Sequence, residues 1–223
     1  MLRLIMKYDL HNHTWYSPCS LLNPQALLRI VKKNGFDGIA VTDHDTIKGG
    51  LVTKNLNKDR DFEVIVGEEL HTNRGHVLGL YLQKPIRSRM YEEAAEEIRK
   101  QGGIVIVAHP RRPMPGAWFR SDGLGKKLMP DGLEVFNGRT SMWSNIHADS
   151  LANKMHIGKT GGSDTHFGYE AGSCYTHFEG DLRRALSKKK TDAHGRGKGM
   201  LIGGPLSFLS KLTLKMGVRK PHG

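Results

Sequence analysis

Short apolar runs recur along the chain, and most of them end on a histidine or a carboxylate. Residues 2–10, 37–42, 62–66, 76–81, 104–108, 132–136, 157–162 and 174–178 are the predicted strands. They are apolar rather than alternating, as expected of strands with both faces buried. Between them the period lengthens to that of a helix. Asn23-Pro24 supplies an N-cap and a proline for the first turn, Ala26, Leu27, Ile30 and Val31 form the apolar stripe, and Gly35 supplies the stop. Further helices are expected over 47–56, 88–101, 141–155 and 182–189, and 111–130, broken by prolines and glycines, reads as a loop. Strands alternating with helices predict an α/β fold. The spacing points to an α/β barrel, with a doubly wound sheet as the alternative.

The polar residues that follow the strands carry the chemistry, because barrel enzymes build their sites at the C-terminal strand ends. His11 and His13 lie two apart and share one face of a strand end. His44, Glu69, His109, Asp164 and His166 follow later strands, and His76 opens another. Imidazoles and carboxylates from separate strands, with no Cys-x-x-Cys, suit zinc, manganese or iron with open coordination positions. Two or three divalent ions of that kind serve the hydrolysis of a phosphate ester. Arg111 and Arg112 follow His109-Pro110, and Asn137 and Arg139 end the next strand. Guanidinium groups match phosphate oxygens, so one of Arg111 or Arg112, together with Arg139, is expected to clamp phosphate.

Tyr8-Asp9-Leu10-His11-Asn12-His13-Thr14, Val41-Thr42-Asp43-His44-Asp45-Thr46, Gly67-Glu68-Glu69, His76-Val77-Leu78-Gly79-Leu80, Ala108-His109-Pro110 and Gly162-Ser163-Asp164-Thr165-His166 occur in this order. Together they resemble the successive motifs of the PHP (polymerase and histidinol phosphatase) family over about residues 8–178. The resemblance implies a distorted (β/α)7 TIM-like barrel and a trinuclear metal site. His11, His13, Glu69 and Asp164 would hold the first metal. Glu69 would bridge to a second, held also by His76 and His109, and His44 and His166 would hold a third. Cys19 stands where family members usually have Asp or His, and a thiolate there could complete the third site. Asp43 is expected to orient His44, and Glu69, not Glu68, is taken as the ligand. His71, His147, His156, His177, His194 and His222 match no motif.

The resemblance also implies attack on phosphorus by a metal-bound hydroxide, with His166 or His44 available to protonate the leaving group. Nucleotides or short oligonucleotides, cut by a nucleotide phosphatase or a 5′-to-3′ exonuclease, are the expected substrates. A small phosphomonoester such as histidinol phosphate is the alternative. A reading of another class makes the chain a non-catalytic, metal-stabilised module that binds nucleic acid or a membrane surface.

Charge changes this picture at one end only. Of the formal +12, residues 181–223 contribute +9, with 11 Lys/Arg against Asp181 and Asp192. The chain therefore divides into a barrel over 1–190 and a basic tail over 191–223, with 188–199 read as a glycine-containing linker. Beyond it, Leu206, Phe208, Leu209, Leu212, Leu214 and Met216 interleave with Lys211 and Lys215. This stretch is expected to pack back on the barrel as a helix, to lie on an anionic membrane surface, or to guide nucleic acid. No run approaches the roughly 20 apolar residues of a membrane span, and the first nine residues lack the apolar core of a signal peptide. With only Cys19 and Cys174, no disulfide framework is implied, and a cytoplasmic protein is expected.

Overall fold

A computed structural model describes residues 5–114, 116–197 and 203–216. Among the described residues nine strands, β1 (Ile5–Asp9), β2 (Gly38–Val41), β3 (Glu63–Thr72), β4 (Gly75–Leu80), β5 (Ile104–Val107), β6 (Gly132–Asn137), β7 (Gly158–Gly162), β8 (Cys174–Glu179) and β9 (Thr191–Gly195), form one sheet. Its order is β7-β6-β5-β4-β3-β2-β1-β8-β9. Six α-helices accompany it among the described residues: α1 (Pro24–Lys33), α2 (Lys48–Leu56), α3 (Tyr91–Lys100), α4 (Met142–Met155), α5 (Leu182–Ser187) and α6 (Gly203–Lys215). The expected α/β barrel is present.

The sheet is mixed, however. Strand β4 runs antiparallel to both β3 and β5, and β8 runs antiparallel to both β1 and β9. Apolarity reports burial of both faces and not strand direction, so the sequence did not reveal the two reversals. The β3–β4 hairpin also carries β3 on to Thr72, well past the apolar run. Residues 191–195, read as linker, instead pair along β8. Residues 198–202 and 217–223, with His222, lie outside the described residues.

Both faces of β5 are used, as its unbroken apolar run requires. Ile104, Ile106 and Ala108 join Tyr8, Leu10, Ala40, Ile65 and Leu78 inside the barrel, while Val105 and Val107 pack outward against Ala94, Ala95 and Ile98 of α3. Helix α5 adds Leu182, Ala185 and Leu186 to the interior cluster and closes the end opposite the histidines. Helix α1 starts as its sequence dictates, with the Asn23 side chain accepting from the backbone N–H groups of Gln25 and Ala26 behind Pro24.

The barrel nearly closes through a few polar contacts. The Asp164 N–H donates to the His11 carbonyl and the His13 N–H to the Thr165 carbonyl, both at 2.8 Å. Thr176 of β8 reaches β7, where its hydroxyl accepts from Gly161 N at 2.8 Å and donates to Gly161 O at 3.0 Å. The approach of β7 to β1 requires glycine at 162: a Cβ there would collide with His11 and lie 2.7 Å from Glu134 Oε1.

Candidate metal centre

The motif residues expected to ligate, His11, His13, His44, Glu69, His76, His109, Asp164 and His166, come to one end of the barrel. His11, His13, Glu69, His109, Asp164 and His166 are buried, while His44 and His76 keep partial exposure. Glu69 is the hub. Its Oε2 lies 3.3 Å from His11 Nε2, 3.2 Å from His13 Nε2 and 3.3 Å from His44 Nδ1. Its Oε1 lies 2.9 Å from His76 Nδ1 and 3.0 Å from His109 Nε2. One carboxylate thus faces two sets of imidazoles. Asp164 Oδ1 completes the first set, 3.3 Å from His13 Nε2 and 3.7 Å from His11 Nε2.

Four groups have donor atoms close enough to share an ion: His11 with His13 and Glu69; His11 with His109 and Asp164; Glu69 with His76 and His109; and His13 with His44 and His166. Cys19 is in none of them. It is a buried free thiol, pushed up to about 12 by burial. Divalent ions fit this donor set. Buried polar atoms rarely lack partners, yet His44 Nδ1 and His109 Nδ1 have no hydrogen bond here.

The charges of the cluster hold one another in place. Burial opposes ionisation throughout, yet His11 is raised well above its ordinary pKa by Glu134, Asp164 and Glu69. Glu69 is held well below the usual carboxylate range, its burial outweighed by His44, His11 and His109. Asp164 is held likewise by His11, His13 and Arg112. His44 and His166 are pushed well below the ordinary value by burial, with His13 adding repulsion. They are therefore neutral, the state in which imidazole ligates.

A surrounding layer fixes the ring orientations, and the sequence reading missed most of it. Glu134, buried in β6, accepts from His109 N–H at 2.8 Å through Oε2 and places Oε1 3.0 Å from His11 Nδ1. Asn137 donates to the same Oε2 at 3.0 Å. Residues three apart on a regular strand face opposite sides, but β6 carries a bulge between Glu134 and Phe136 that brings these two together. A glutamate inside an apolar strand was the available signal. Asp43 does not reach the His44 ring as expected. It accepts from Ser17 Oγ at 2.7 Å, and Ser17 in turn touches His13 Nδ1 at 3.1 Å and accepts from His44 N–H at 3.0 Å. Glu170 accepts from His166 N–H at 2.7 Å. His71, which matched no motif, stacks 4.0 Å from the His76 ring.

Backbone strain marks the same residues. His109 has φ +27° and Asp164 φ +53°. Non-glycine residues in this region cost about 1–3 kcal/mol each, and such strain concentrates at functional sites.

Of the two adjacent arginines, Arg112 faces the cluster and donates to Asp164 Oδ2 at 3.0 Å. Arg111 turns away to stack over Trp118, 5.2 Å from the ring centroid. Arg139 is buried beside the cluster. Its Nη2 donates to Ser207 of α6 at 3.0 Å, and its Nε lies 3.7 Å from Glu170 Oε1. Neither Nε nor Nη1 makes a hydrogen bond.

Comparison with known proteins agrees with this arrangement. A PHP domain model matches residues 9–110, and a PHP-associated model matches residues 143–191. An uncharacterised protein of Methanocaldococcus jannaschii is 37% identical over 168 residues, covering 69% of this chain and 91% of that one. The chain belongs to the PHP family. A second protein of that organism, also uncharacterised, is 35% identical over 78% of this chain and 70% of its own. A 5′-3′ exoribonuclease of Haemophilus influenzae is 32% identical over 113 residues, 43% of this chain and 41% of that enzyme.

Solved structures share the fold at low identity. PsfC of Pseudomonas syringae superposes with a TM-score of 0.64 at 18% identity, covering 95% of this chain and 98% of that one. A structure described as a candidate metal-dependent phosphoesterase of Bifidobacterium adolescentis gives 0.60 at 17% identity, covering 72% and 87%. As a PHP member the chain is a hydrolase acting on phosphate esters.

Proposed function

We propose that this PHP protein hydrolyses phosphate esters of nucleotides or short oligonucleotides at a centre of two or three divalent metals. The observation that carries the reading is Glu69, whose two oxygens face separate imidazole sets. His11, His13, Glu69 and Asp164 would hold one ion, and Glu69, His76 and His109 a second. His44 and His166 would hold a third together with His13. Cys19, outside these groups, is assigned a packing role. Bound metals would supply Lewis-acid stabilisation of the phosphoryl oxygens and an activated water.

The remaining work falls to residues of the chain. Asp164 keeps one oxygen toward the imidazoles while Arg112 holds the other. Arg139 offers two unpartnered guanidinium nitrogens, the geometry that receives an anion's oxygens. Sulfate is bound in an amidohydrolase of Chromobacterium violaceum with the same fold (TM-score 0.57, 17% identity), which supports an oxyanion site in this fold. The exoribonuclease relative favours a nucleotide substrate over histidinol phosphate. The two buried free thiols fit a reducing cytoplasm.

The test is release of phosphate from a 3′,5′-bisphosphonucleotide and from histidinol phosphate, and of mononucleotides from a 5′-phosphorylated RNA, with and without Mn²⁺ or chelator. Chelator-sensitive release, preferentially from the nucleotides and abolished in Asp164→Asn, is expected. A folded, metal-loaded protein that releases neither phosphate nor mononucleotides from any of them would leave the binding-module reading standing instead.

A further inference from the structure

Helix α6 is turned inside out. It docks on the mouth of the barrel through small polar side chains: Ser207 meets Arg139, and Ser210 donates to the Pro18 carbonyl at 3.2 Å. Leu206, Thr213 and Leu214 are half-buried on that inner side. The outer side is the more apolar one. Phe208 (68% exposed), Leu209 (53%), Leu212 (40%) and Met216 (67%) share it, with Lys211 and Lys215 also exposed. A helix docked only for stability would place its apolar stripe inward. Helix α4, which begins three residues after Arg139, also bares Met142, Trp143 and Ile146 in its first turns. A cluster of exposed apolar side chains on one side of a helix, as on α6, marks an interaction site.

We infer that this face docks on an anionic lipid surface. Charge decides among the occupants. Helix α6 carries no acidic residue; Lys215 lies exposed beside the apolar side chains and Lys211 at the edge nearer the barrel, where its charge also reaches Cys19 and His71. Against a second copy of the chain the face would set lysine against lysine, whereas an anionic bilayer attracts each of them. Apolar side chains flanked by lysines are the composition of a helix lying in the headgroup region. Nucleic acid is a poorer fit, since Phe208 is the one aromatic ring on the α6 face and leucine and methionine give bases nothing to stack on. The inference stands on α6 and its surroundings and not on the phosphoesterase reading. No helix among the described residues is long and apolar enough to cross a membrane, so the contact is peripheral.

The test is co-sedimentation of the full chain with phosphatidylcholine vesicles, plain or containing phosphatidylglycerol. At least about tenfold tighter binding to the anionic vesicles is expected, from roughly 1 kcal/mol per lysine. Phe208→Gln with Leu212→Gln, which leaves the charge unchanged, should lose most of that binding while keeping its metal content and fold. Lys211→Gln with Lys215→Gln should abolish the preference for anionic lipid. Equal binding to both vesicles, or full binding by the Phe208/Leu212 variant, would overturn the inference. So would a wild-type dimer in solution that the same variant converts to monomer, since the face would then be covered by a second copy.

Discussion

Glu134→Gln tests how the barrel prepares His11. The glutamate holds two strands at once, accepting from His109 N–H at 2.8 Å and facing His11 Nδ1 at 3.0 Å. As an acceptor it would keep a proton on Nδ1 when a metal displaces the one on Nε2, so that the Nε2 lone pair, on the side of His13, Glu69 and Asp164, can ligate. Glutamine has the same shape. Its oxygen can keep the bonds from His109 and Asn137, but its amide group must then donate to His11 Nδ1. The proton moves to Nε2, where it blocks the ligand position. The loss is one hydrogen bond to a charged group, about 1.5–3 kcal/mol, which corresponds to roughly 10- to 100-fold in metal affinity. Competition with a chromophoric chelator measures it, with circular dichroism as the check on folding. A folded Glu134→Gln variant that binds metal within about threefold of wild type would refute the argument.

Other consequences follow from neighbouring contacts. Arg139→Met should reduce kcat/KM for phosphate esters by about 10²-fold, the scale for losing one preorganised electrostatic stabiliser, and unchanged kinetics would remove Arg139 from the anion site. Thr176→Val strips both partners from Gly161 between β7 and β8. It should cost about 2–4 kcal/mol for two unsatisfied backbone groups, read as a fall in Tm, and an unchanged Tm would show that the barrel closes by other means. Burial raises Cys19 and Cys174 from 9.0 to about 12. The fold therefore favours the neutral thiols. The stability linked to them is complete below pH 9 and lost as pH climbs through about 12. At pH 8 the native protein should leave both thiols unlabelled by a disulfide reagent and the unfolded chain should expose both. A thiolate charge-transfer band on cobalt loading would instead make Cys19 a ligand.

The chain itself determined which residues meet. Strand-length apolar runs made a sheet buried on both faces, and the positions just after most of the parallel runs put a histidine or carboxylate at one end of a barrel. That much is local, because side-chain direction follows from strand period and the site follows from strand ends. Where contacts join residues far apart in the chain, the sequence was silent. No spacing links Ser17 to Asp43 or Glu134 to His11, and nothing local distinguishes Arg111, stacked on Trp118, from Arg112, paired with Asp164. Strand reversal at β4 and β8 was equally hidden, since an apolar run reads the same in either direction. The bulge in β6 aligns Glu134 with Asn137, and the dock of Ser207 on Arg139 turns an ordinary amphipathic pattern outward. Both are decided by packing across the whole barrel, which only the tertiary structure contains.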